Sequence, residues 1–459
     1  MLRLRLPLVV VAVVCAVIMA SCGNDDTTGT TIYNTSTTTY GGDVATTAGV
    51  DFVFGPGVTP DPCPAAINPD NGCITLGVLS DLEAGPYAEL GASATRGQLD
   101  FWDAINRGGG IGGRFDVALP EEFILDSASD PERHLAGYRA IATSVAAVAQ
   151  SLGTEPTLAI LDDLLADGVV AIPVSSWSGW AFPDVDGGLV LESGAPYCLE
   201  GMNSVDFAYE AAEGRFTYGI VALADLYGQD YSSGVRQAAT VRGLATPVFE
   251  VEVSPGSGAA LEAAVGIATA ERPDVIFIAA GPAATTTLVS ALAAAGYDGI
   301  IVGAGPTWSP GAVAGDVETL AAFEALFFHA TPVAGWYGET AGHDAMTAAA
   351  EASGSVGDVG YQYGWVASYP MLALLEQAVA AGDLSRSGLA ALAVSLEDVD
   401  YGDMLPARSY TGDPSAAVER RSLFERIDGT MPGGTFMAAP FFAGATAADH
   451  PFARACARP

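Results

Sequence analysis

Few side chains in this sequence are placed to do covalent or metal chemistry. The four histidines are His134, His329, His343 and His450. No two share zinc-ligand spacing, and HExxH is absent. Every one of the 18 basic residues is arginine. Without lysine there is no P-loop lysine, no Schiff-base lysine and no Ser–Lys dyad. GxSxG and CxxC are missing as well. The stretch GGGIGG at 108–113 matches GxGxxG letter for letter. A nucleotide fingerprint needs a strand before it and a helix after it, whereas here a predicted helix precedes and a strand follows. The inventory therefore leads to no catalytic set, no metal site and no cofactor. It leaves hydroxyl, aromatic and acidic side chains on the turns that follow predicted strands, groups suited to holding a small molecule.

Length and composition narrow the field further. The chain has 459 residues, half of them apolar and 16% charged, enough for two or three domains with real cores. Acidic residues number 54 against 18 basic, a net charge of −36. Such a field repels nucleic acid and anionic lipid surfaces.

The N-terminus reads as an address. Arg3 and Arg5 precede an apolar run from Leu6 to Ala20, too short for a comfortable membrane span and right for a signal peptide. Ala20, Ser21 and Cys22 end it, which resembles a bacterial lipobox with Met19 where leucine is commoner. That resemblance implies removal of residues 1–21 and acylation of Cys22. The Thr-, Gly- and Asn-rich stretch that follows has no apolar period, so 22–60 is expected to be a flexible linker from the lipid anchor. Four cysteines remain in the exported part: Cys63, Cys73, Cys198 and Cys456. An even number in an oxidising compartment suggests two disulfides, with three pairings open. Cys63–Cys73 would close a short Pro/Asn/Gly loop, which leaves Cys198–Cys456 to pin the C-terminal tail.

From residue 74 the chain alternates strand and helix. CITLGVLSD is a short apolar strand, and ASATRGQLDFWDAINR is a helix in which Leu99, Trp102 and Ile105 recur every three residues. Asp130 and Pro131 read as the cap and first residue of another helix. VAAVAQSLGT and VVAIPVSS are further strands. The pattern restarts at FTYGIVALAD (216–225) and runs to GIIVGAG. Two α/β lobes with parallel, doubly wound sheets are the expected architecture.

Several motifs in order resemble the type I periplasmic binding proteins of the leucine/isoleucine/valine-binding kind. They are the opening ITLGVLSDLEAGPYAELGASATRGQLDFWDAINRGGGIGGRFDV, the helix start LDSASDPERHLAGYRAI, the segment ADLYGQDYSSGVRQAA, and ERPDVIFIAAGPAATTTLVSALAAAGYDGIIVGAG. The resemblance covers roughly residues 74–380. It implies two Rossmann-like lobes joined by a three-segment hinge, with lobe one at 61–200 completed by about 332–430, and lobe two at 201–331 completed by about 431–459. It implies a monomeric, lipid-anchored, extracytoplasmic receptor for a small polar ligand, branched-chain amino acid-like or a related organic acid or amide, partnered by the permease of an ABC importer, with no nucleic acid and no enzymatic step. The alternative on the same fold is a ligand-sensing subunit for a membrane signalling partner.

Ligands of open α/β sheets bind beyond the carboxyl ends of the strands, which selects the candidate site residues. Ser151 and Thr154 flank the turn after one lobe-one strand, and Ser176 and Ser178 follow the next; by resemblance these hold a carboxylate. Tyr227 matches a cleft tyrosine of the family, while Tyr87 and Trp308 offer apolar walls from cleft-facing loops. Amino-acid binders of this family commonly carry an acid after the last lobe-two strand, where Ala304-Gly305-Pro306 stands here. The family's tyrosine after the preceding strand is also absent. An ammonium would then need Asp225, on a neighbouring loop; otherwise the ligand is an organic acid, an amide or an aromatic compound.

The leader makes one direct prediction. Cys22→Ala should release the protein from the membrane fraction and remove the lipid mass from its mature N-terminus. Retention of the variant at the membrane, with no lipid on the wild type, would contradict the anchor.

Overall fold

The computed structural model describes residues 52–254 and 257–459, so the expected leader, Cys22 and most of the linker lie outside the described residues. Gly72–Ser80 is the hub of a first sheet. Phe115–Ala118, Ile124–Asp126 and Ala147–Leu152 pair with it in parallel, and Ala171–Val174 lies beyond the last of these. Helices cover the sheet, and all six residues of Ala147–Leu152 are buried, Gln150 and Ser151 included.

A second sheet runs in the order Thr435–Phe442, Ser422–Ile427, Phe327–Thr331, Ile300–Gly303, Val275–Ala279, Tyr218–Leu223, Phe249–Val253. The last five are parallel to one another, and the first two join antiparallel. The chain leaves the first sheet through helix Tyr197–Ala211, whose apolar face belongs to the second core. It returns at Val333 and crosses a third time between Leu405, in the first core, and Val418, in the second. The third crossing therefore precedes the expected boundary near 430, and residues 422–427 stand in the second sheet.

Local signals in the sequence account for much of this. The Asp130 carboxylate accepts the Glu132 and Arg133 N–H groups at 2.8 and 3.2 Å, with Pro131 opening helix Pro131–Ile141. The stripe on helix Ala88–Arg107 differs from the expected one. Leu99 is 38% exposed, and the buried face runs through Leu90, Ala94, Gln98, Phe101 and Trp102. Steps of three residues drift around a helix of 3.6 per turn, while mixed steps of three and four hold one face.

Two helix pairs touch backbone to backbone through glycine. A methyl on Gly364, in helix Val359–Ala381, would overlap the Ala94 carbonyl of helix Ala88–Arg107, and one on Gly97 would overlap the Tyr361 carbonyl. A methyl on Gly234, in helix Leu226–Val241, would overlap the Cys198 carbonyl of helix Tyr197–Ala211.

Cys63 is joined to Cys73, and Cys198 to Cys456. The second bond holds the C-terminal tail against both lobes. The Cys456 N–H donates to Ser178 Oγ at 2.8 Å, and Trp177 Nε1 donates to the Ala457 carbonyl at 3.1 Å. Phe452 is fully buried in the second core.

The helix seams predict that Gly364→Ala destabilises the fold although alanine is the better helix former. The methyl meets backbone rather than a side chain that can turn away, so a loss of about 1–3 kcal/mol is expected in chemical denaturation. An unchanged midpoint would show that the helices separate freely.

Candidate functional site

The carboxyl ends of the two sheets face each other across a cavity of about 390 Å³, within the usual range for small-molecule sites. The lobes meet around it. Glu155 Oε1 accepts the Leu226 N–H at 2.6 Å across the cleft. Gly281 lies so near the Pro86 carbonyl that a Cβ there would stand 2.7 Å from it. The arrangement is the closed form of a two-lobed cleft.

The first lobe contributes its post-strand turns. Gly153, at φ +96, swings the chain from strand Ala147–Leu152 into helix Thr154–Ala159 in a conformation that glycine favours. This leaves Thr154 on the cavity wall, 3% exposed, with its Oγ1 lacking any hydrogen-bond partner. Ser176 also lines the cavity, and its carbonyl accepts the Tyr197 N–H at 2.8 Å. Tyr87 reaches the wall from the loop after Ser80. That loop is held by Asp81, which accepts the Tyr87 N–H at 3.3 Å and the Ser129 Oγ–H at 2.6 Å.

The second lobe contributes Asp225 and Tyr227. Asp225 caps helix Leu226–Val241 by accepting the Gly228 N–H at 2.8 Å, and burial pushes its carboxyl up to about 7. Tyr227 is 4% exposed, and its hydroxyl has no partner. Its ring lies 4.5 Å from that of Tyr197, centroid to centroid.

Three of the expected site residues lie elsewhere. Ser151 turns away from the cavity, between His134 Nε2 at 2.9 Å and Thr157 Oγ1 at 2.7 Å. As the penultimate residue of a strand buried on both faces, it points opposite to Leu152, which does line the cavity. Ser178 donates to Asp230 at 2.6 Å behind the cleft. Trp308 is 1% exposed and packs on Phe323 in the second core, its ring centroid 5.1 Å away.

Sequence reasoning missed Glu200, Tyr197 and Tyr363, all of which line the cavity. Glu200 stands beside the Ala304-Gly305-Pro306 turn: its Oε1 accepts the Gly305 N–H at 2.9 Å. It comes from the helix that follows the first crossing, not from a post-strand turn. The available signal was Tyr197-x-x-Glu200, one turn apart on a helix beginning just after Pro196. Burial pushes the Glu200 carboxyl up to about 8. Among the described residues, no arginine or histidine lines the cavity. Val333, Val366, Ala367 and Leu405, which belong to the first-lobe core, also line it.

These acids set a pH dependence. Asp186, Asp225 and Asp230 are each pushed up to about 7 by burial, and Glu200 to about 8. Unfolded, they ionise near pH 4, so between about pH 4 and 8 the folded state holds more protons. Thermal stability should therefore fall as pH rises from 5 to 8, and Glu200→Gln should flatten the upper part of that decline. A melting temperature that climbs across this range would contradict the burial of neutral acids.

The periplasmic binding protein family matches residues 73–429. No protein of curated function matches the sequence. Among solved structures, a fatty acid ABC transporter substrate-binding protein from Thermomonospora curvata is 24% identical, covers 87% of this chain and 97% of its own, and superposes with a TM-score of 0.77. A branched chain amino acid ABC transporter protein from Thermus thermophilus with bound valine is 15% identical, covering 82% and 98%, with a TM-score of 0.67. A solute binding protein from R. palustris in complex with benzoate is 18% identical, covering 83% and 100%, with a TM-score of 0.64. The family match across most of the chain, on a fold of two largely parallel sheets facing one cleft, shows that this chain belongs to the periplasmic binding protein family.

Proposed function

We propose that this chain is the extracytoplasmic, lipid-anchored receptor of an ABC importer, closing its lobes on one small solute and presenting it to a permease. Closure around the ligand, a hinge motion, is the working step, and no bond in the solute changes. The observation that carries this reading is the closed interlobe cavity with two buried hydroxyls, Thr154 Oγ1 and Tyr227 OH, left without partners. Buried polar groups are rarely orphaned, and one from each lobe facing a shared cavity suits a ligand that satisfies both. No helix among the described residues is long and apolar enough to cross a membrane.

The same cavity bears on the kind of solute. Its lining combines hydroxyls and acids with the apolar side chains of Val333, Val366, Ala367 and Leu405. That combination suits a molecule with one polar head and an apolar body, such as an aliphatic organic acid with a branched-chain skeleton. The bound or named ligands of the solved relatives, a fatty acid, valine and benzoate, share that build.

Mass spectrometry of the solute released by denaturing the purified protein should identify such a molecule. Thr154→Val and Tyr227→Phe should each weaken its binding about ten- to a hundredfold. Neither change should lower stability, because each removes a hydroxyl that has no partner in the protein. Full affinity in both variants by calorimetry, with folding checked by circular dichroism, would remove the two hydroxyls from the site.

A further inference from the structure

Glu200 is the cavity-lining carboxyl with the least access to water, at 2% exposure, and no cation is paired with it. Its Oε1 is occupied by the Gly305 N–H, and its Oε2 has no protein partner among the described residues. A carboxylate this desolvated is held neutral unless a positive charge approaches. The groups facing it are phenols: Tyr197 from its own helix, Tyr227 and Tyr231 from the helix packed on it, and Tyr363 from the first lobe. Burial holds all four above the ordinary tyrosine range. Asp225 and Glu155 stand on the same cavity, accepting the Gly228 and Leu226 N–H groups, and the buried pair His329–Glu425 lies beyond Gly305, whose carbonyl is 2.8 Å from His329 Nε2.

The hydrogen-bond inventory favours one sign of ligand charge. Thr154 and Tyr227 each hold an unused O–H, and a neutral Glu200 adds a third. A carboxylate offers about four acceptor sites to such donors, whereas an ammonium brings only donors and leaves the phenol proton unmatched. We propose that Glu200 acts as an uncharged carboxylic acid in ligand recognition, donating its proton to the carboxylate head of an apolar monocarboxylate. The proposal rests on the reading of the chain as a solute receptor, and gives that receptor a selectivity opposite to an ammonium-pairing acid.

Octanoate and octylammonium, which share a chain and differ in head charge, are the probes. Calorimetry on the mature wild-type protein should show octanoate bound at least about tenfold more tightly. Between pH 7.5 and 9 its affinity should fall about eightfold as Glu200 ionises beside the ligand, with Asp225 already largely charged throughout. Glu200→Gln keeps a donor at every pH, so its octanoate affinity, whatever its value at pH 7.5, should not fall between pH 7.5 and 9. Preference for octylammonium, the same pH-dependent fall in Glu200→Gln as in the wild type, or a flat wild-type profile would each overturn the proposal while leaving a solute receptor in place. Binding of neither probe to either protein would overturn the monocarboxylate class itself. A readout without ligand exists in carboxyl carbon-13 NMR. The resonance missing from Glu200→Gln should titrate near pH 8, and an ionised Glu200 at pH 7 in the free protein would also overturn the proposal.

Discussion

Backbone contact between helices is the constraint from which the cavity follows. Helices with ordinary side chains at their interface keep their axes about 8–10 Å apart. Gly97 and Gly364 bring helix Ala88–Arg107 against Val359–Ala381, while Gly234 brings Leu226–Val241 against Tyr197–Ala211. The walls of the site are built on these two pairs. Leu90 and Ala94 face the cavity with Tyr363, Val366 and Ala367 on one side, and Tyr197 and Glu200 face it with Tyr227 on the other. Widening either seam would move a wall as a unit, so packing that looks remote from the ligand fixes the shape it meets.

How much of this was legible in the sequence depended on how local the cause was. The alternation of apolar runs and helices, the Asp130 cap and the order of family motifs are short-range signals, and the two lobes followed from them. Tyr87, Thr154, Ser176, Asp225 and Tyr227 were reachable by the rule that ligands sit beyond strand ends, and the structure brings all five to one cavity. Ser151 was misplaced because a strand alternates its faces, and one residue decides between the cavity and the His134 side. Trp308 was misplaced because a large aromatic on a turn can fill the core beneath it as readily as the cleft above. Glu200 was out of reach for a different reason. Its place opposite Gly305 depends on a separation of 105 residues, bridged only once the second sheet has formed.

The electrostatics divide into an outside and an inside. The chain carries a net charge of −36 and no lysine. The cavity presents hydroxyls and the carboxyls of Asp225 and Glu200, which burial pushes up to about 7 and about 8. Long-range repulsion of an anion fades beyond about 8–10 Å at physiological ionic strength, whereas hydrogen bonds act only at contact. Overall charge therefore bears on solubility and on how fast a charged solute arrives, and a handful of oxygen atoms decides which solute is kept.

The bond between Cys198 and Cys456 joins residues 258 positions apart, and nearly the whole second sheet lies between them. A protease that cuts any surface loop inside this covalent ring separates no fragment: the two pieces remain one molecule, with the C-terminal strands still registered beside Phe327–Thr331. For a protein working outside the cytoplasm, a single nick in the second lobe thus becomes a scar rather than an amputation.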